Sequence, residues 1–181
     1  MPAGPELRTE RLLLRRWRAE DLEPCAAMNT QAEVVEHLPS SFSRAESAAF
    51  RERIEHSFER RGYGLWAIEL IGREPFVGCA GLLDVGADLP FAAAVEVGWR
   101  LAYEWWGRGL ATEAAAAAIA YGFEELGLTE LLAYTARRNE RSRRVMARLG
   151  MRHDRAEDFL HPALGPEDPL APHVVYRLAR A

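Results

Sequence analysis

Two glycines around a single arginine mark the stretch of the sequence best suited to bind an anion. In residues 104–123, EWWGRGLATEAAAAAIAYGF, Gly107 and Gly109 flank Arg108, and a run of alanines follows. The first N–H groups of a helix lack internal acceptors, and the helix dipole adds positive potential there. Glycines let the chain curl so that these groups converge. The stretch predicts a phosphate site, although Gly-x-Gly turns also close ordinary loops.

Two well-known phosphate motifs are excluded by the residues that follow this turn. A P-loop requires Lys and then Ser or Thr after its last glycine, whereas Leu110 and Ala111 follow Gly109. A dinucleotide-binding fingerprint requires a third glycine where Thr112 stands, inside a parallel βαβ unit. The strand-like runs before this turn instead predict an antiparallel meander.

Hydrophobic periodicity and capping residues predict the elements that position the turn. Together they predict an α+β (mixed α/β) fold with a mostly antiparallel central sheet of about seven strands flanked by about four helices. The chain is expected to form a single domain over residues 1–181. The predicted elements are a strand in 11–17, helices over Ala19–Asn29 and from the cap Ser43 to Gly62, strands in 63–71, 75–85 and 92–101, a helix over Thr112–Leu126, a strand in 130–136, a helix from the cap Asn139 to Gly150, and strands in 151–161 and 173–178.

Composition narrows the class of protein. The 181 residues are 49% hydrophobic and 28% charged, with a net charge of −4, which indicates a folded protein without a general nucleic-acid-binding surface. The two cysteines lack metal-type spacing, and the sequence contains neither a membrane-spanning run nor an apolar signal region. We therefore expect a cytoplasmic protein with no metal, no membrane contact and no direct nucleic-acid partner.

Four blocks of the sequence resemble the GNAT superfamily of acyl-CoA-dependent N-acetyltransferases. They are most similar to its RimJ/RimL-like branch, the ribosomal-protein N-terminal acetyltransferases. The blocks cover nearly the whole chain in the family's order, and they read LRTERLLLRRWRAEDL, VEVGWRLAYEWWGRGLATEA, NERSRRVMARLGM and HVVYRL. The superfamily signature Gln/Arg-x-x-Gly-x-Gly/Ala begins here with Trp106, and tryptophan is usual at that place in the RimJ/RimL-like branch.

The resemblance implies acetyl-CoA as co-substrate, bound without a metal. It implies that backbone N–H groups of the glycine turn hold the CoA pyrophosphate and that the preceding strand pairs with the pantetheine arm. Asn139 would offer its amide to pantetheine, and Ser142 would lie near the thioester sulfur. The cofactor-binding residues implied are Trp99, Arg100, Leu101, Gly107, Arg108, Gly109, Leu110, Ala111, Thr112, Asn139 and Ser142.

The family's chemistry is attack of a neutral amine on the thioester carbonyl, with CoA leaving as a thiolate. Glu96 is the candidate base, because a carboxylate on the strand before the turn could reach the amine through water. Ser142 is, by resemblance, the candidate acid for the thiolate. The alternatives are an outward-facing or salt-bridged Glu96 and a Ser142 hydroxyl that only caps the backbone.

The acceptor is expected to be a primary amine, with the N-terminal amine of a protein or peptide favoured. A small-molecule amine, such as an aminoglycoside, a polyamine or an amino-acid-like amine, stays open, as does a non-catalytic acyl-CoA-binding module. Six arginines between residues 137 and 148 also allow an RNA- or ribosome-binding interpretation, but a solvated helix face fits the acidic chain better. A homodimer is a further open alternative.

Overall fold

The computed structural model describes residues 5–39, 42–91 and 93–180. Strands and helices follow one another largely as the sequence predicts. In chain order they are β1 (Leu7–Arg8), β2 (Leu12–Arg15), a 3-10 turn (Ala19–Asp21), α1 (Leu22–Met28), α2 (Ala32–Val35), α3 (Arg44–Arg61), β3 (Leu65–Leu70), β4 (Glu74–Asp84), β5 (Val95–Leu101), a 3-10 turn (Tyr103–Trp105), α4 (Leu110–Glu124), β6 (Glu130–Ala136), α5 (Glu140–Arg148), β7 (Arg152–Leu160) and β8 (Pro172–Ala179).

One sheet connects the strands in the order β1-β2-β3-β4-β5-β6-β8-β7. Neighbouring strands are antiparallel except β5 and β6, which α4 joins as a parallel pair. Among the described residues, β5 and β6 are paired at a single position, Glu96 opposite Leu132. By contrast, β4 and β5 are paired along the whole of β5. The sheet therefore opens between β5 and β6 beyond Glu96.

The helix α3 shows how local sequence signals set an element. The Glu46 N–H donates to the Ser43 hydroxyl at 3.2 Å, and the Ser43 N–H donates to the Glu46 carboxylate at 2.7 Å, so the predicted capping box is present. Phe50, Ile54 and Phe58 repeat at helical spacing and are buried against the sheet core. The predicted helix is thus confirmed, including its end at the Gly62 C-cap.

The alanine-rich helix α4 lies flat on the sheet. Ala114, Ala115 and Ala118 are fully buried in the core that includes residues of β4, β5 and β6. A Cβ atom at Gly122 would lie 3.0 Å from the Leu82 side chain of β4, so even an alanine there would force that side chain to shift. The small residues therefore allow close helix–sheet packing, which places the start of α4 beside the end of β5.

The predicted α+β architecture with a mostly antiparallel sheet is confirmed, with small differences in element number. The described residues contain eight strands and five α-helices, whereas the sequence predicts about seven and about four. The first predicted strand is preceded by the short β1, and α2 is a single extra turn of helix. The helix after the glycine turn begins at Leu110 rather than Thr112.

Candidate cofactor and active site

The glycine turn has the backbone geometry expected of an anion site. Gly107 and Gly109 both adopt positive φ angles, 75° and 78°, and Gly109 is the N-cap of α4. A side chain is strained in this conformation, so glycine is strongly favoured at both positions. Among the described residues, the six backbone N–H groups from Gly107 to Thr112 make no backbone hydrogen bond as donors. These donors and the dipole of α4 together favour a bound phosphate.

Aromatic and basic side chains fix the turn from both sides. The Trp106 indole donates to the Leu101 carbonyl at 2.8 Å, which ties the turn to the end of β5. The Arg108 guanidinium lies 4.8 Å from the Trp105 ring centroid, and that of Arg141 lies 5.0 Å from the Trp106 ring centroid. Both arginines therefore add positive charge at the rim of the turn.

Glu113 anchors the first turn of α4 to the β1–β2 connection, a role that no motif in the sequence indicates. Its carboxylate accepts hydrogen bonds from the Thr9 hydroxyl at 2.6 Å, the Arg11 N–H at 3.1 Å and the Arg11 Nε at 2.7 Å. Burial opposes its charge, but these donors hold the Glu113 pKa below its ordinary value. Arg11 also donates to the Arg108 carbonyl at 3.0 Å, so Arg11 connects Glu113 to the glycine turn itself.

We expect Glu113→Ala to raise the dissociation constant of acetyl-CoA about tenfold, the equivalent of roughly 1.4 kcal/mol. Without the carboxylate, Arg11 loses its partner and the glycine turn loses its connection to the β1–β2 segment. Isothermal titration calorimetry measures the change. Glu124→Ala, at the exposed opposite end of α4, is the matched control and should bind as tightly as the wild type. An unchanged dissociation constant in Glu113→Ala would show that the contacts of Glu113 with Thr9 and Arg11 contribute to the stability of the fold and not to acetyl-CoA binding.

The edge of β5 that faces β6 carries the residues predicted to hold pantetheine. Trp99, Arg100 and Leu101 follow the single β5–β6 pair, and on this edge they are paired with no strand of the described chain. A backbone edge left open in this way can accept an extended ligand through main-chain hydrogen bonds. The glycine turn begins directly after this edge, so the two predicted parts of the cofactor site are adjacent.

Asn139 and Ser142 form a compact network at the start of α5. The Asn139 amide nitrogen donates to the Thr135 hydroxyl at 3.0 Å and to the Ser142 hydroxyl at 3.1 Å. The Asn139 amide oxygen accepts from the Ser142 N–H at 3.1 Å and caps the helix. Both N–H donors of Asn139 are therefore already used within the chain. Because Ser142 Oγ is an acceptor in this network, its own hydrogen can be donated elsewhere.

Glu96 lies where β5 and β6 diverge, and the pKa of its carboxyl is raised, as suits a general base. Burial raises its pKa to about 7, while the Tyr134 hydroxyl favours the carboxylate and partly opposes that rise. Burial, together with the Glu96 charge, raises the Tyr134 pKa as well, so the phenol stays protonated. Tyr134 was not identified from the sequence, because its closeness to Glu96 depends on the β5–β6 pairing.

Aromatic side chains line the sheet face beside Glu96. The ring centroid of Tyr134 lies 5.7 Å from that of Phe91 and 6.0 Å from that of Phe159. His173 is buried, and its ring lies 4.8 Å from that of His161 across the proline-rich loop between β7 and β8. The backbone N–H of His161 donates to the Ala171 carbonyl at 2.8 Å, which joins the two ends of this loop.

Neither a metal centre nor a membrane segment is found in the part of the chain that the structure describes. No group of three or more His, Cys, Asp or Glu side chains there could hold a metal ion. No helix among the same residues is both long and apolar enough to cross a membrane. Both Cys25 and Cys79 are free and buried, and burial raises their pKa values to about 11 and about 12.

Comparisons with known proteins point to the same chemistry. Residues 11–152 match the family model described as "Acetyltransferase (GNAT) domain". The chain is 26% identical over 152 residues to the uncharacterized N-acetyltransferase YoaA of Bacillus subtilis, which covers 83% of this chain and 84% of that protein. An acetyltransferase structure from Agrobacterium tumefaciens superposes with a TM-score of 0.79 at 27% identity, covering 97% of this chain and 95% of that one.

A more distant structure shares the fold alone. The ribosomal-protein-S5-alanine acetyltransferase of Vibrio fischeri superposes with a TM-score of 0.76 at 18% identity, covering 97% of each chain. Because the identity is low, this likeness carries no statement about what the present chain acetylates.

Proposed function

Because the chain belongs to the GNAT acetyltransferase family, we propose that it moves an acetyl group from acetyl-CoA directly to a primary amine, with the N-terminal amine of a peptide favoured. Acetyltransferase activity with acetyl-CoA as donor follows from membership of the family. The observation that carries the site assignment is the row of six N–H donors at the glycine turn, adjacent to the open edge of β5.

The cofactor would lie across these two features. The N–H groups of Gly107 to Thr112 would hold the pyrophosphate, and the side chains of Arg108 and Arg141 would add positive charge beside it. The pantetheine arm would pair with the backbone of residues 99–101 as an added strand. Asn139 would act by orienting Ser142, because its own amide donors are used within the chain.

In the proposed reaction, the amine attacks the thioester carbonyl and Glu96 accepts the proton that the amine loses, directly or through one water. The tetrahedral intermediate then collapses, and the sulfur of CoA leaves as a thiolate. Ser142 can donate its hydroxyl hydrogen to that sulfur, since its oxygen already accepts from Asn139. The proposed base and the proposed acid would thus belong to separate elements, Glu96 to β5 and Ser142 to α5.

The raised pKa of Glu96 favours an N-terminal amine over a lysine side chain. A base with a pKa of about 7 can take a proton from an N-terminal ammonium, whose pKa is about 8, at a cost of roughly 1.4 kcal/mol. The same transfer from a lysine, with a pKa of about 10.4, costs roughly 4–5 kcal/mol. The pKa of Glu96 therefore lies close to that of an N-terminal amine, which supports the proposal.

The proposal is tested by thiol release from acetyl-CoA with a panel of acceptors. The panel contains a lysine-free peptide with a free N-terminus, the same peptide with an acetylated N-terminus, a lysine-containing N-acetylated peptide, a polyamine and an aminoglycoside. We expect turnover with the free N-terminus and none with its blocked counterpart. The chain itself contains no lysine, so ε-acetylation found by mass spectrometry would belong to the added acceptor.

Each other outcome changes the proposal in a defined way. Turnover limited to the polyamine or the aminoglycoside would replace the peptide acceptor with a small amine. Tight acetyl-CoA binding without release for any acceptor would favour a non-catalytic acyl-CoA-binding module. Assignment to the RimJ/RimL-like branch, a single domain over 1–181, a homodimer and a cytoplasmic location stay predictions.

A further inference from the structure

Arg100 has a partly buried guanidinium with few partners in the protein. Its Nη1 donates to the Asn29 amide oxygen at 2.8 Å, and its Cζ lies 4.9 Å from the Phe42 ring centroid and 5.7 Å from that of Phe50. Among the described residues, no Asp or Glu oxygen lies within 4.0 Å of it. An arginine has five N–H donors, so most of those on Arg100 are left for another acceptor.

Arg15, the chain's fully buried arginine, shows how this protein otherwise pairs such a group. Its guanidinium bonds both carboxylate oxygens of Asp21, at 2.8 and 2.9 Å, and Glu69 at 3.0 Å. It also donates to the carbonyl of Pro75 at 2.6 Å. Removing a guanidinium from water without such partners is costly, because the charge loses its hydration. No carboxylate in the described part of the chain compensates Arg100 for the hydration that its partial burial removes.

The guanidinium of Arg100 is held in place and not neutralised. Asn29 is fully buried, and its amide nitrogen donates to the Ser47 hydroxyl at 3.0 Å, which fixes its oxygen toward Arg100. The nearby thiols of Cys25 and Cys79 have raised pKa values of about 11 and about 12, so they are protonated and neutral at pH 7. The positive charge of Arg100 therefore stays available to a ligand.

Arg100 lies on the same face of β5 as the candidate base. Glu96, Gly98 and Arg100 alternate along the strand, so their side-chain positions point to one side of the sheet. A Cβ atom built on Gly98 would meet only Leu65 Cδ2, at 3.8 Å, so the space directly beside Gly98, between Glu96 and Arg100, is not tightly packed. In the described chain, the partnerless N–H groups of Arg100 are not sealed from solvent.

We propose that Arg100 binds a carboxylate of the acceptor while the acceptor's amine lies near Glu96, so that the enzyme selects amines that also carry an acidic group. This inference rests on the proposed function. The carboxylate could belong to an acidic side chain early in a peptide or to a small amino acid whose amine and carboxylate are several bonds apart. A guanidinium binds a carboxylate through two parallel hydrogen bonds, which gives orientation as well as affinity.

Two pairs of acceptors test the proposal with the full-length enzyme. The peptide pair is Ser-Asp-Ala-Ala amide and Ser-Asn-Ala-Ala amide, and the small-molecule pair is γ-aminobutyrate and γ-aminobutyramide. We expect kcat/KM for the acid to exceed that for the amide by about tenfold to a hundredfold in at least one pair, the size of a charged hydrogen bond. The pair that shows the preference identifies the source of the carboxylate.

Variants at Arg100 assign any preference to this side chain. In Arg100→Gln the ratio of acid to amide should fall to about one, and Arg100→Lys should keep part of it, because the charge remains but the two-pronged geometry is lost. Acetyl-CoA binding by each variant is measured in parallel to show that the fold is intact. The comparison within the wild type needs no variant, so it holds even if Arg100→Gln does not fold.

Failure of the inference and failure of the proposed function give different results. If the wild type turns over acid and amide at equal rates, or if Arg100→Gln slows both members of a pair equally, Arg100 does not select a carboxylate. If the wild type binds acetyl-CoA but acetylates no amine in either pair or in the wider panel, the proposed acceptor class is wrong, and the role of Arg100 is wrong with it.

Discussion

Glutamate in place of Gly109 is expected to raise the dissociation constant of acetyl-CoA about a hundredfold. At a φ of 78°, any side chain costs roughly 1–2 kcal/mol of backbone strain. The new Cβ would lie 3.6 Å from Arg11 Nη2, and the added carboxylate would bring a negative charge to the turn whose N–H groups are proposed to hold the pyrophosphate. Repulsion between like charges at that point costs several kcal/mol, and about 3 kcal/mol corresponds to the stated change.

Gly127→Glu is the matched control for this variant. Gly127 follows the opposite end of α4 with a φ of 67°, and a Cβ atom there meets nothing within 4 Å. The two variants therefore share the charge and the backbone strain but differ in their distance from the glycine turn. Calorimetric titration should give near wild-type affinity for Gly127→Glu. Equal affinities in both variants would mean that the pyrophosphate lies elsewhere.

Glutamine in place of Glu96 is expected to lower kcat/KM for the acceptor by about a hundredfold to ten-thousandfold, the usual contribution of a general base. Glutamine has nearly the shape of the carboxylic acid but cannot accept the proton. The variant should still bind acetyl-CoA, since the glycine turn and the start of α5 are unchanged. Steady-state kinetics at saturating acetyl-CoA measures the loss.

The pH dependence gives a second and sharper readout for the same variant. The Glu96 pKa of about 7 means that the wild-type rate should rise as pH increases through about 7, because the carboxyl must be ionised to act as a base. That rise should be missing from the profile of Glu96→Gln. Glu74→Gln, a strand glutamate at the start of β4, is the control and should keep the wild-type profile. A profile shared by all three proteins would assign the base to another group.

Local signals in the sequence were sufficient for most of the elements and for the glycine turn. The capping residues Ser43 and Asn139 lie at the starts of α3 and α5, as predicted, because a cap depends on neighbours three residues away. The positive φ angles of Gly107 and Gly109 likewise follow from local turn chemistry. The α+β class with a mostly antiparallel sheet followed from the alternation of such elements.

Contacts between distant parts of the chain could not be predicted in this way. Glu113 binds Thr9 and Arg11, about a hundred residues earlier in the sequence, and no periodicity or motif predicts these contacts. The contact of Tyr134 with Glu96 depends on how β6 registers against β5. The partners of Arg100 come from Asn29, directly after α1, and from Phe42, just before α3, so the sequence indicated only a role for the Arg100 backbone.

The single pair between β5 and β6 divides the sheet into two hydrogen-bonded blocks, β1–β5 and β6–β8. The two blocks are joined by hydrophobic contacts beneath α4, but few main-chain hydrogen bonds connect β5 with β6. An extended pantetheine arm would add such bonds, so the cofactor would contribute to the cooperativity of the fold as well as to the chemistry. Amide hydrogen exchange along residues 97–101 would then be slowest in the acetyl-CoA complex. After CoA dissociates, exchange at the β5–β6 boundary would again become fast.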